Sequence, residues 1–114
     1  MNTTENNKLI AEFMGAKEVR KDNFKFPNRT GLPLQIGTIN YHSDWNWLME
    51  VVEKIESLEI GRFKVEIYNT NCRIYDHEEF DEISDLSAGT KIEATYNACI
   101  EFIKWYNENN NYEK

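Results

Sequence analysis

The chain has 114 residues, 40% of them hydrophobic, which is enough for one domain with a buried core. Its formal net charge of −7 disfavours direct nucleic-acid binding and an anionic membrane surface, because an acidic protein surface repels phosphate. No apolar run is long enough for a signal peptide or a membrane span, so we expect a cytoplasmic protein.

The first predicted element is a short helix over about Glu5–Met14. Thr3 or Thr4 can cap its start, and Gly15 is expected to end it in a left-handed conformation. Two and a half turns are too few for a stable helix in water. We therefore expect its narrow apolar stripe to pack on the core; the stripe consists of Leu9, Ile10, Phe13 and Met14.

Residues 17–29 differ from the rest of the chain in charge. They hold five of the thirteen basic residues and two acidic ones, so this segment has a charge of +3 and the remainder −10. The aromatic residues on either side of Lys25 predict an extended segment, while Pro27 and Gly31 predict turns and exclude a helix. The expected structure is a loop or loose hairpin.

Two interpretations of this basic segment are open. Lysines on an exposed edge strand can simply prevent self-association. Alternatively, the charged groups can contact the phosphates of an anionic ligand while the aromatic rings stack on a base. The candidate ligand-binding residues are then Arg20, Lys21, Phe24, Lys25, Phe26 and Arg29.

An amphipathic helix over Ser43–Glu59 is the strongest prediction in the chain. Ile36–Tyr41, which precedes it, alternates apolar and polar residues and predicts a strand. Ser43 is the expected N-cap, and Asp44 adds negative charge at the positive end of the helix dipole. The apolar face of the helix, which we expect a sheet to cover, consists of Leu48, Val51, Val52, Ile55 and Leu58.

The junction before this helix is a second-choice site, formed by His42, Trp45 and Trp47. A lone histidine beside an N-cap is more often a junction residue than a general base, so a catalytic role is disfavoured. The two tryptophans point to different sides of the helix, so we expect one in the core and the other near the surface.

Arg62–Tyr68 and Cys72–Tyr75 predict a β-hairpin with a turn at residues 69–71. Phe63, Val65 and Ile67 are expected to point inward, and the outward charges are expected to pair across the hairpin. The cysteines, Cys72 and Cys99, have no zinc-ligand spacing and are expected to be buried and unpaired.

Asp76–Asp85 contains six carboxylates in ten residues. It lacks the spacing and the glycine of a calcium loop, so no metal is expected. The recurrence of Phe80, Ile83 and Leu86 every three residues predicts a short helical turn with one face against the body. As a functional alternative, such an acidic strip could imitate nucleic acid and inhibit a nucleic-acid-binding protein.

A long helix over Thr90–Asn107 closes the chain, with Thr90 and Glu93 forming a capping box. Its apolar stripe is wider than one sheet edge can cover. This width predicts a homodimer or higher oligomer through Phe102, Trp105 and Tyr106. Residues 107–114 are polar and asparagine-rich, and we expect them to be a frayed tail.

Three stretches resemble the recurring blocks of small uncharacterised proteins encoded by bacteriophages and prophages, some of them grouped as a phage α/β/α-sandwich domain. They are KLIAEFMG at Lys8–Gly15, YHSDWNWLMEVVEKIE at Tyr41–Glu56 and KIEATYNACIEFIKWYN at Lys91–Asn107. The resemblance implies an accessory protein made in the host cytoplasm during infection. It carries over no catalytic or ligand-binding residue.

The sequence therefore predicts a single α+β domain, with a mostly antiparallel sheet of three or four strands packed by two long helices and a short N-terminal helix. We expect a non-enzymatic binding protein, without a cofactor, that interferes with a host component. The partner is either a small anionic signal of nucleotide type or a host protein. The alternative is a small enzyme acting on such an anion, although no paired acid and base stands out.

Overall fold

The computed structural model describes residues 3–27, 29 and 31–110, and over these residues the chain forms three α-helices and two three-stranded antiparallel sheets. The helices are α1 (Thr3–Phe13), α2 (Trp45–Ser57) and α3 (Lys91–Asn110). The smaller sheet contains β1 (Lys17–Arg20), β2 (Asn23–Lys25) and β3 (Leu34–Gln35). The larger sheet contains β4 (Phe63–Tyr68), β5 (Asn71–Asp76) and β6 (Asp81–Ser87). The predicted α+β fold class is confirmed, but the strands form two sheets and not the single sheet of three or four strands that the sequence predicts.

The predicted hairpin forms the first two strands of the larger sheet, with Val65 opposite Ile74 and Glu66 opposite Arg73. Residues of β4 and β5 alternate between the core and solvent, as the sequence predicts. The Arg73 guanidinium lies 2.7 Å from the Glu66 carboxylate, so the predicted charge pairing across the hairpin is confirmed for this pair. Helix α3 packs on this sheet, and the core lies between them.

The predicted apolar face of α2 is confirmed, since Leu48, Val51, Val52 and Ile55 are all buried. The N-cap, however, is Asp44 and not Ser43. An Asp44 carboxylate oxygen accepts from the Asn46 backbone N–H at 2.8 Å. Ser43 is one residue too early because it belongs to the preceding turn, where its own N–H donates to the Asn40 carbonyl.

The strand predicted over Ile36–Tyr41 is wrong. Residues Ile36–Thr38 form a 3₁₀-helix, and the Thr38 hydroxyl donates to the Gln35 carbonyl at 2.7 Å. Ile39 and Tyr41 lie in the irregular segment and turn that follow, and both side chains are buried in the core. The apolar alternation therefore reflects two anchoring side chains and not a strand.

The helical turn predicted within Asp76–Asp85 is also wrong. The chain reverses through residues 77–80 and returns as β6, which pairs with β5 along its whole length. Because the backbone N–H and C=O groups of this segment pair with β5, it forms a strand even though its apolar residues recur every three positions. Phe80, predicted to pack against the body, is 86% exposed in the turn.

The capping residue of α3 is confirmed, because the Thr90 hydroxyl accepts from the Glu93 backbone N–H at 3.2 Å. The helix continues through Asn110, so the frayed tail predicted from residue 107 is wrong for residues 107–110. The remaining predicted tail, residues 111–114, lies outside the described residues.

The aromatic width of α3 is partly covered within the chain. Phe102 is fully buried, with its ring centroid 4.9 Å from that of Phe63 on β4. Tyr106 is half-buried beside Phe13 of α1, at 6.2 Å between centroids, and Trp105 is half-buried beside Phe63. The prediction that Phe102 forms an interface is therefore wrong, because α1 and β4 both contribute rings that the helix pattern alone does not reveal.

Helix α1 begins at Thr3, and Gly15 follows it with a φ of 92°, which confirms the predicted left-handed end. Ile10 is buried, and the other residues of its stripe are half-buried against the core. Both cysteines are free and buried, as predicted. Burial raises the pKa of Cys72 to about 11 and also raises the pKa of Cys99, so both thiols stay protonated. Among the described residues, the helices are too short or too polar to cross a bilayer.

Candidate anion-binding site

The basic segment forms the predicted hairpin, β1–β2, to which β3 adds a third short strand. Phe24 and Phe26 alternate with Lys25 and point into the core, with 0% and 4% exposure. Their predicted role in stacking on a ligand base is therefore wrong. Strands of two to four residues cannot hold a sheet in place, so these two rings anchor it and are too deeply buried to stack on a base.

Two lysines face each other across this hairpin. Lys17 of β1 lies directly opposite Lys25 of β2, and both side chains are exposed. Such opposite pairs have Cβ atoms about 4.5 to 5.5 Å apart, and like charges at this spacing destabilise a sheet. Lys25 donates to the Gly31 carbonyl at 2.7 Å, which positions its ammonium group but brings no negative charge.

A cleft of about 280 Å³ opens beside this pair. We call it the basic cleft, and the side chains and backbone that line it belong to Gly15, Lys17, Val19, Lys25, Phe26, Pro27 and Arg29. Gly15 lies against the Pro27 ring, and its φ of 92° is a conformation that favours glycine. The basic cleft thus combines three cations with an apolar wall.

Arg29 contacts two aromatic rings and a carboxylate at the edge of the basic cleft. Its guanidinium lies 4.2 Å from the centroid of the Trp47 ring and 5.8 Å from that of Phe26. It also contacts the Glu50 carboxylate at 3.3 Å, which neutralises part of its charge. Its Nε atom is buried, with no hydrogen-bond partner among the described residues. Arg29 is therefore oriented by the body of the protein while Lys17 and Lys25 remain open to solvent.

Arg20 and Lys21, the other predicted ligand-binding cations, lie at the β1–β2 turn and do not line the basic cleft. Arg20 is three residues from Lys17, roughly 10 Å along the strand. The neighbouring Asp22 is paired with Lys8 of α1 at 2.6 Å, and the Lys8 ammonium holds the pKa of Asp22 below its usual value. The structure therefore separates the six predicted residues into cleft, core and turn groups.

The second-choice residues do not share a site. Trp47 packs under Arg29 and against Tyr41, whereas Trp45 is exposed at the first turn of α2. This confirms that the two tryptophans differ in environment. His42 turns away toward α1, where its Nδ1 lies 3.0 Å from the side-chain amide nitrogen of Asn7.

Asn7 explains the position of His42. Its buried amide group donates to the Ile39 carbonyl at 2.8 Å and accepts from the Tyr96 hydroxyl at 2.9 Å. The remaining amide hydrogen faces His42 Nδ1, which can accept it. Burial raises the pKa of Tyr96 to about 12, so it remains a donor. His42 is thus a junction residue with a structural partner.

A larger groove of about 500 Å³ lies between α1, β6 and α3. Its charged lining consists of Glu5, Glu101 and Lys104, so its balance is negative. An anion is therefore favoured in the basic cleft even though that cleft is smaller. Within the described part of the chain, no group of three or more His, Cys, Asp or Glu side chains is arranged to hold a metal ion.

Comparison with known protein families, with curated proteins and with solved structures finds no match for this chain. Sequence reasoning placed Lys17 in the basic segment but not among the ligand-binding residues. A hairpin with a two-residue turn at 21–22 would by itself place Lys17 opposite Phe26. The irregularity between Glu18 and Arg20 shifts the register by one residue and brings Lys17 opposite Lys25, and no sequence signal predicts that shift.

Proposed function

We propose that this chain is a non-enzymatic binding protein that holds a phosphate-bearing small molecule in the basic cleft. The observation that carries the proposal is the direct opposition of Lys17 and Lys25 on adjacent strands. An anion placed between the two ammonium groups converts a repulsion into two charge-assisted hydrogen bonds, each about twice as strong as a neutral one. Arg29 stands at the edge of the same cleft and adds a third cation.

The size of the basic cleft limits what it can enclose. Sites for drug-sized ligands span about 300 to 1,000 Å³. At about 280 Å³, the basic cleft suits a phosphate or diphosphate group and not a whole nucleotide. Because Phe24 and Phe26 are buried, a base attached to the phosphates would lie outside the cleft without a stacking partner there. The proposed specificity is therefore for the phosphate group.

Binding is favoured over catalysis by the chemistry of the lining. Among the described residues, lysine, arginine, glycine, proline, valine and phenylalanine line the basic cleft, so this part of the lining supplies no carboxylate, imidazole or thiol as a general base or nucleophile. The resemblance to phage-encoded proteins supports a setting in the cytoplasm of an infected bacterium. In this proposal the protein sequesters a phosphate-bearing signal of the host defence response.

Isothermal calorimetry with pyrophosphate and with ATP tests the proposal. We expect Lys17→Ala and Lys25→Ala to weaken binding about tenfold or more, since a charge-assisted hydrogen bond contributes 1.5 to 3 kcal/mol. Lys64→Ala is the matched control, because Lys64 is an exposed lysine on the larger sheet.

Chromatography of the released ATP separates sequestration from catalysis. Intact ATP supports the binding protein, and a hydrolysed or transferred phosphate supports the enzyme. The proposal fails if the parent protein binds neither probe, or if the two cleft variants bind as tightly as Lys64→Ala.

A further inference from the structure

Two adjacent turns at one end of the larger sheet expose large apolar side chains. Ile60 is 100% exposed and Phe80 is 86% exposed. The turns are joined, because the His77 backbone N–H donates to the Arg62 carbonyl at 2.8 Å and the Arg62 guanidinium lies 2.6 Å from the Asp76 carboxylate. We call residues 58–62 and 76–82 together the acidic double turn.

The two exposed residues of the acidic double turn have an unfavourable backbone conformation. Ile60 and Phe80 have φ values of 58° and 59°, in the left-handed region that glycine and asparagine favour. A β-branched residue such as isoleucine is a genuine outlier there. Strained positions of this kind persist where the surrounding structure fixes them, and they cluster at binding sites.

The charge around the two apolar side chains defines what can cover them. The acidic double turn contains six carboxylates and one arginine: Glu59, Asp76, Glu78, Glu79, Asp81, Glu82 and Arg62. The arginine already pairs with Asp76 and Glu59. A partner surface must therefore be basic and must offer an apolar recess.

The basic cleft of this same chain has both properties. Lys17 and Lys25 flank it, Phe26 and Pro27 contribute to its apolar wall, and Val19 beside it is 52% exposed. It adjoins the first turns of α2 through Trp47, whereas the acidic double turn follows the last residue of that helix. Roughly 16 Å of helix separates them, so contact between the two surfaces requires a second molecule.

We propose that the acidic double turn of one copy docks into the basic cleft of a second copy, with Phe80 in the recess and the carboxylates against Lys17 and Lys25. The two surfaces are different, so the contact is heterologous and each copy can bind one neighbour on either side. Self-association goes beyond the proposed function and needs no ligand. Because both use the same lysines, pyrophosphate competes with the neighbouring copy.

Sedimentation velocity with two complementary variants tests this. Phe80→Ser removes the apolar contact of the acidic double turn, and Lys25→Glu reverses a charge of the basic cleft. We expect the parent protein to associate reversibly at about 100 µM, as a small transient interface would, and to dissociate as salt is added. Each variant alone stays monomeric. An equimolar mixture forms a dimer and nothing larger, since one intact surface remains on each partner.

Tyr68→Ser is the matched control, because Tyr68 is 74% exposed but lies at the opposite end of the larger sheet. It should associate like the parent. The inference is overturned if the parent is monomeric at these concentrations, if the mixture fails to dimerise, or if Tyr68→Ser also abolishes association. Calorimetry with pyrophosphate at low protein concentration is independent of this result, and Phe80→Ser should bind pyrophosphate normally.

Discussion

The two sheets of this protein differ in what holds them. The larger sheet has strands of six, six and seven residues whose side chains alternate into the core under α3. The smaller sheet has strands of four, three and two residues, and every residue of β1 is exposed. Regular pairing and burial stabilise the first, whereas the second depends on the two buried rings of Phe24 and Phe26.

This difference shows where the fold can tolerate unfavourable features. Opposed lysines and the exposed side chains of Val19 and Leu32 occur on or beside the smaller sheet. Small domains are stable by only about 5 to 15 kcal/mol, so the stability that offsets these features must come from elsewhere in the domain. The exposed Ile60 and Phe80 show that the turns of the larger sheet also carry unfavourable features, but its paired strands do not. We interpret the larger sheet with α2 and α3 as the stable scaffold, and the smaller sheet as the surface it presents.

The largest expected effect comes from the same substitution made in each sheet. Phe63→Ala removes a ring that contacts Phe102, Trp105 and Tyr106, so we expect a loss of about 4 kcal/mol in the free energy of unfolding. Phe24→Ala should cost less globally, because the short strands around it can open locally. Urea denaturation measures both values. Equal losses would show that the two sheets unfold as one cooperative unit, which would contradict the distinction between a stable scaffold and a less stable smaller sheet.

The second prediction concerns the ion pair at the end of the larger sheet. The Asp76 carboxylate accepts from the Arg62 guanidinium and from the backbone N–H groups of Glu78 and Glu79, and Arg62 is the main cause of its lowered pKa. The stability that the ionised Asp76 contributes is fully present above the pKa of an unfolded-state aspartate, near pH 4. It is lost as the pH falls through the lower pKa of Asp76 in the folded protein.

We therefore expect Asp76→Asn to lose about 2 kcal/mol at pH 7 and to flatten the decline in stability below pH 4. Asp81→Asn, at an exposed position in the same segment, is the control. Thermal unfolding between pH 2 and pH 7 measures both variants. If the decline in stability below pH 4 is the same in Asp76→Asn as in the parent, other carboxylates cause that decline.

The sequence predicted the scaffold better than the surface, for physical reasons. The face of α2 and the alternation of β4 arise from local periodicity, which is visible along the chain. In the Ile36–Tyr41 segment, by contrast, local periodicity was misleading. Its alternation is typical of a strand, but Ile39 and Tyr41 are buried side chains of a 3₁₀-helix end and a turn. The basic cleft depends on register between β1 and β2 and on the distant Trp47 under Arg29, and neither relation is encoded in spacing.

The third prediction concerns the link between the two regions. Asn7 joins the loop after the smaller sheet, through the Ile39 carbonyl, to α3, through the Tyr96 hydroxyl. Tyr96→Phe removes the donor that the buried side-chain oxygen of Asn7 has among the described residues, so we expect a loss of about 1 to 2 kcal/mol in the free energy of unfolding. Tyr68→Phe, at an exposed tyrosine, should be silent. Urea denaturation distinguishes the two, and equal stability would show that this hydrogen bond does not secure α1.

The smallest expected effect is a gain, and it tests the observation on which the proposed function rests. If Lys17 and Lys25 repel each other, Lys17→Thr should raise the melting temperature by about 1 to 3 °C, because it removes a like-charge pair and adds a residue that favours strands. Added sodium chloride should shrink this gain by screening the repulsion in the parent. Pyrophosphate should stabilise the parent more than the variant, since only the parent has both lysines to bind it. The Lys64→Thr substitution on the larger sheet controls for strand propensity and for loss of one positive charge. Differential scanning fluorimetry resolves shifts of this size, and a lower melting temperature for Lys17→Thr would remove the electrostatic argument for an anion in the basic cleft.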